Sequence, residues 1–185
     1  MALRVREAGA DPSNPAQVES LLEGLDIRMD YGEDGVQRMY LSGRDVTEAI
    51  RENAVSALAS QVAALPAVRD FLLDFQRRQA RERDVVMDGR DIGTVVLPRA
   101  RVKIFLTAAP EARAERRLLE LRQRGQDAAF DTVLSDIIRR DEQDRNRAIA
   151  PLRQAEDAVL LDTTRLDRAG SLEALLAIVR ERLPQ

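Results

Sequence analysis

Apolar positions change their period in a definite order along the chain, and each change marks an element. Met1 to Ala8 reads as the end of a helix that stops at Gly9, followed by a loop over Asp11-Pro12-Ser13-Asn14-Pro15. Val18, Leu21 and Leu22 then share one face of a helix that starts near Pro15 and ends at Gly24. Leu25 to Tyr31 and Val36 to Ser42 flank Gly32-Glu33-Asp34-Gly35, the pattern of an antiparallel hairpin. Helical spacing returns at Ala49, Ile50, Ala54, Leu58 and Val62, with Thr47 as the expected cap. Pro66 stops that helix and opens another, which continues to about Arg83.

Beyond Arg83, short apolar runs alternate with longer amphipathic ones. Val85-Val86-Met87, Val102 to Leu106 and Ala158 to Leu161 have the length and composition of buried strands. Between the second and third run lie two helical stretches, Glu111 to about Arg124, ended by Gly125, and about Asp131 to Arg147. Ser171 is the expected cap of a terminal helix whose Leu172, Leu175, Leu176 and Val179 form an apolar stripe directed at the core. This alternation implies an α/β fold with a parallel sheet and helices on both faces. No repeat, low-complexity tract or linker divides the chain, so residues 1–185 are expected to form one domain.

Composition narrows the chemistry. Hydrophobic residues make up 44%, enough for a core, while 29 basic against 32 acidic residues leave a formal net charge of −3. Attraction for anions must therefore come from local arginine clusters, since Lys103 is the only lysine, and nucleic-acid binding is not suggested. The absence of cysteine and histidine excludes disulfides, thiolate or imidazole metal sites, and cysteine or histidine catalysis. What remains is carboxylates, arginines and hydroxyls. The opening MALRVREAGAD is interrupted by arginine and no long apolar span follows, so a cytoplasmic protein without a membrane partner is expected.

The stretch that carries most chemical information is Asp84 to Thr94, DVVMDGRDIGT. If Val85 to Met87 ends a parallel strand, Asp88, Arg90 and Asp91 project into the crevice where open α/β sheets bind ligands. An arginine fork grips phosphate and a carboxylate orients Mg²⁺ or its waters, so this trio suits a phosphate-and-metal site. An ordinary turn with a solvated ion pair has the same residues. Arg140, Asp144 and Arg147, at i, i+4 and i+7, share one helix face, which reads equally as a site or as a solvated salt-bridge ladder.

Two long motifs separate these readings. Asp88 to Pro98 (DGRDIGTVVLP) and Arg140 to Leu152 (RDEQDRNRAIAPL) resemble the bacterial cytidylate kinase family, and the resemblance runs in register along nearly the whole chain. It implies a P-loop nucleoside monophosphate kinase-like fold: a parallel sheet flanked by helices, a small antiparallel insert over residues 25–46 and lid helices over 111–150. It implies phosphoryl transfer from ATP, with Mg²⁺, to CMP or dCMP by a monomer. Of the site residues it implies, Arg90 holds the acceptor phosphate, Arg140 and Asp144 hold the acceptor ribose and phosphate, and Arg147 matches a position nearer the base. In SQVAALPAVR, Ser60 and Arg69, otherwise a surface hydroxyl and a solvated arginine, match residues that read cytosine together with Asp91. Arg116 matches a lid position facing the ATP phosphates, and Asp88 contacts Mg²⁺ only through its waters. Asp88, Arg90, Arg140 and Arg147 are the expected catalytic group.

Two elements of that family's pattern are not in the sequence. No GxxxxGK[ST] segment occurs, although such a loop cradles donor phosphates with backbone N–H groups, a lysine and a hydroxyl. The family's loop, with the first strand, precedes the position of Met1 by roughly thirty residues, about one strand–loop–helix unit, and its DSGxxYR motif lies immediately before it. An N-terminally truncated kinase, with both motifs encoded upstream in frame, is the expectation. The alternatives are a non-catalytic CMP-binding remnant lacking the ATP site, and a helical interaction module that uses its arginine-rich faces.

Overall fold

The computed structural model describes residues 1–183, with the side chains of Asn53 and Ser60 outside the described residues. The chain, expected as one domain, groups into two compact units, one from Met1 to Asp84 and one from Val85 onward.

In the first unit, helix α1 (Ala2–Ala8) and helix α2 (Pro15–Ser20) precede an antiparallel sheet of β1 (Ile27–Tyr31), β2 (Gln37–Leu41) and β3 (Arg44–Asp45). β1 and β2 pair from Ile27 opposite Leu41 to Tyr31 opposite Gln37. Gly35 closes their turn with φ of 71°, a conformation that side chains disfavour. Helices α3 (Asn53–Ala63) and α4 (Pro66–Glu82) follow. Proline at the start of α4 costs no hydrogen bond, because the first N–H groups of a helix have no partner within it.

Helix α1 is buried from two sides. Its Ala2 and Leu3 pack with Leu41, Val46 and Val55, while Val5 packs with Val18, Val62 and Val68. Thr47 does not cap a helix. Its hydroxyl accepts from the Met39 N–H at 3.0 Å and its own N–H donates to Asp45, so the group is spent on the sheet. The chain runs through a 3₁₀ turn at Ala49–Arg51 before α3 begins. A buried hydroxyl takes whichever donor the tertiary contacts bring within reach, and here that donor is on β2.

In the second unit, β4 (Ile104–Thr107) and β5 (Val159–Asp162) form a parallel pair, joined through helices α5 (Pro110–Gln123) and α6 (Phe130–Asn146). The α/β class with a small parallel sheet is therefore present. The two strand ends are tied together: the Thr163 N–H and hydroxyl both donate to the Thr107 carbonyl, and the Ala109 N–H donates to the Thr164 hydroxyl. Helices α5 and α6 pack around Ala114, Leu118 and Val133.

Three expectations about this unit need correction. Val85 to Met87 is not a strand and joins neither sheet, and Val86 is fully exposed. A strand exists only with a ladder partner, and β4 and β5 pair with each other. The terminal helix α7 (Arg168–Arg182) is capped by Asp167, whose side chain accepts the Gly170 N–H at 2.7 Å, rather than by Ser171. Its stripe is not core: no residue of α7 is buried, and Leu172 and Leu176 are exposed. A two-stranded sheet offers too narrow a platform to cover an apolar helix face.

Candidate active site

The Asp88 to Asp91 segment is a loop that runs directly into a π-helical turn at Ile92–Val96. One carbonyl, that of Asp91, accepts the N–H groups of Thr94, Val95 and Val96 at 3.3, 2.8 and 3.2 Å. This holds the loop by its backbone. Gly89 permits the close turn, because a Cβ there would stand 2.9 Å from Ile92 Cγ1. Asp88 and Arg90 are exposed and Asp91 is half-buried.

Arg90 reaches α6. Its Nε donates to Asp144 Oδ2 at 2.6 Å, a charge-assisted hydrogen bond joining residues 54 apart in sequence. Asp144 is four-fifths buried, whereas the Arg90 side chain is 57% exposed, so its guanidinium stays open to an incoming anion. Arg147 approaches the other carboxylate oxygen, with Nη2 at 3.7 Å from Oδ1, beyond hydrogen-bonding range. Its Nε and Nη2 are buried and have no hydrogen-bond partner among the described residues. Buried guanidinium donors are costly when left unmade, and their presence beside a carboxylate indicates a place for a polar acceptor.

The helix expected to carry Arg140, Asp144 and Arg147 on one face ends earlier than that spacing requires. Arg147 is the C-cap, with φ of −56° and ψ of 134°, and so has left the helix. It meets Asp144 because the chain doubles back: the Leu152 N–H donates to the Asp144 carbonyl at 2.8 Å, and Ala150 adopts a φ of 48° just before Pro151. Arg140 is exposed on α6.

The other expected residues are placed as follows. Ser60 lies in α3, its side chain outside the described residues, and Arg69 is half-buried in the first turn of α4. Both belong to the first unit. Arg116 in α5 donates to the Thr163 and Leu166 carbonyls, so its guanidinium braces the turn after β5. Lys103 precedes β4 and its ammonium pairs with Asp157 at 2.8 Å. Among the described residues no group of three or more carboxylates converges as a metal site.

Sequence reasoning missed one pair. Arg113 of α5 grips Asp141 of α6 through both guanidinium nitrogens, with the first contact at 3.0 Å, and its Nε donates to the Ala108 carbonyl. The Arg113 hydrogen bond, ahead of the charge attraction of Arg113, Arg145 and Arg90, holds the Asp141 carboxyl below its ordinary 3.8 against the opposing effect of burial. The same bond raises Arg113. A carboxyl depressed in the folded state contributes stability that is fully present above its unfolded value near 3.8 and disappears as pH falls through the lower folded value. Thermal midpoints of wild type and Asp141→Asn should therefore differ at pH 6 and converge towards pH 2; a gap that does not narrow in acid would contradict this.

The cytidylate kinase family model matches residues 1–181. A cytidylate kinase of Geobacter sulfurreducens is 47% identical over 182 residues, covering 98% of this chain and 78% of that protein. One of Saccharophagus degradans is 46% identical, with 98% and 81% covered, and one of Pseudomonas syringae pv. tomato is 45% identical, with 98% and 80% covered.

Proposed function

Because the chain belongs to the cytidylate kinase family, we propose that it transfers a phosphoryl group from ATP to CMP or dCMP, and that Asp144 with its two flanking arginines is part of the acceptor site. The observation that carries the second half is the Arg147 guanidinium, buried beside Asp144 with two donors unmade. An enzyme that closes on a nucleotide requires polar groups of this kind, held in place before the substrate supplies their acceptors.

In this reading the open Arg90 fork and Arg140 take the CMP phosphate, Asp144 orients Arg90 and accepts from the ribose, and Arg147 binds nearer the base. Ser60, Arg69 and Asp91 read the cytosine amine and carbonyl, since sites built to hydrogen-bond a ring discriminate far better than shape does. The attacking phosphate oxygen is already anionic at neutral pH, so no general base is required. Catalysis then rests on alignment and on arginine charge set against the equatorial oxygens. The arginine-rich helices α5 and α6 act as the lid that keeps water from the transferring group. Arg116 joins the donor phosphates only by exchanging the two carbonyls it now binds.

Magnesium fits the donor set. Mg²⁺ keeps most of its waters when it binds nucleotide phosphates, and the exposed Asp88 beside Arg90 offers a carboxylate that would accept hydrogen bonds from those waters. When bound, the ion neutralises charge on the ATP phosphates. A cytoplasmic monomer suits this chemistry, and among the described residues no helix is long and apolar enough to cross a membrane.

CDP formation from ATP and CMP, measured beside calorimetric titration with CMP, tests the proposal. Turnover supports it in full. Saturable CMP binding without CDP would reduce this chain to the non-catalytic binding alternative, and no CMP binding would remove the acceptor site.

A further inference from the structure

Helices α5 and α6 meet through Ala114, Leu118 and Val133, with Leu121, Phe130, Leu134 and Ile137 around them. Apolar contacts of this sort favour burial without fixing register, because the hydrophobic effect is non-directional. Yet the site demands register. A slip of one residue along α6 moves a side chain by about 1.5 Å and turns it by about 100°, which would take Asp144 away from the 2.6 Å bond to Arg90.

We propose that Arg113 and Asp141 are the positioning pair that sets α6 so that Asp144 meets Arg90, an inference that rests on the acceptor-site reading for its functional consequence. Asp141 stands one helical turn before Asp144. The bidentate fork that holds it fixes both distance and plane, which a single point charge does not. Arg113 is anchored in turn by the Ala108 carbonyl, just beyond β4. A continuous path thus runs from the end of the parallel sheet through Arg113, Asp141 and Asp144 to the guanidinium that would hold the acceptor phosphate. The pair is also sheltered, with side-chain exposures of 34% for Arg113 and 18% for Asp141, so solvent screens it less than the surface ion pairs on the same helices.

The test follows the Arg90 Nε–H in ¹⁵N spectra of this chain, with Asp144→Asn as reference. Asp141→Asn, which leaves the chemical structure of Arg90 and Asp144 unchanged, should speed exchange of that N–H with water by about tenfold, the equivalent of one lost hydrogen bond. Arg113→Lys should do the same in milder form, and adding Asp141→Asn to Asp144→Asn should change nothing further. A merely stabilising pair predicts no effect on this resonance while the variant stays folded by circular dichroism. An unchanged Arg90 exchange rate in folded Arg113→Lys and Asp141→Asn overturns the inference. CMP titration of the same samples separates it from the earlier reading. If the wild type fails to bind CMP while Arg90 still responds to Asp141→Asn, the acceptor site falls and the positional coupling stands.

Discussion

Replacing Arg90 by alanine should weaken CMP binding by about 100-fold, near 3 kcal/mol, in the range found for truncating one partner of a hydrogen-bonded charge pair. Two losses combine. The phosphate loses a planar fork, and Asp144, four-fifths buried, keeps among the described residues only the ion pair with Arg147 at 3.7 Å. Cytidine, which has no phosphate, should bind the variant within about twofold of wild type, because only the second loss applies to it and solvent fills the space. Arg90→Lys should recover part of the affinity, since an ammonium supplies charge without bidentate geometry. Calorimetry with CMP and cytidine decides the matter: equal losses for both ligands would place Arg90 away from the phosphate.

Val68→Asp should unfold the Met1–Asp84 unit. Val5, Val18, Val62 and Val68 come from α1, α2, α3 and α4 and are at most 1% exposed, so four helices meet at one apolar point. A carboxylate placed there has no partner, and the penalty of several kcal/mol is comparable with the roughly 5–15 kcal/mol that keeps a domain folded. Val68→Ala removes two methyl groups and should cost about 2 kcal/mol, leaving a cooperative transition at lower urea. Arg69 follows Val68 in α4, so the proposed base contacts should be lost with the fold. A Val68→Asp protein that unfolds within 1 kcal/mol of wild type would show that the valine cluster is not the unit's core.

Most helices were legible because their signals are local. Pro15, Pro66 and Pro110 sit at helix starts, where a missing N–H is harmless, and Gly9 and Gly125 follow helix ends with φ of 62° and 70°. The hairpin was legible for the same reason, as turn glycines between alternating strands specify their own pairing. The two motifs that mark Asp88, Arg90, Asp144 and Arg147 as proposed site residues were readable, one of them spanning a helix end that periodicity alone ran past.

Competition among distant groups was not legible. Thr47 and Ser171 are sound capping residues by type, but Met39 claimed the first hydroxyl and Asp167 took the cap from the second. Val85 to Met87 has strand composition without a ladder partner, and the α7 stripe has apolar spacing without a broad enough surface beneath it. The three N–H groups gathered by the Asp91 carbonyl have no signature in side-chain pattern at all.

The sequence by itself therefore determined which segments coil, where they turn, and which residue types can do chemistry in a chain without cysteine or histidine. Those properties depend on backbone preference and side-chain type, which neighbours a few residues away decide. Only the tertiary structure decided that Arg90 would find Asp144, that Arg147 would be buried with donors unmade, and that Arg113 would hold Asp141. Each of these is a contact across 28 or 54 residues, or a burial created by a chain reversal, and such partners are chosen by packing rather than by local preference.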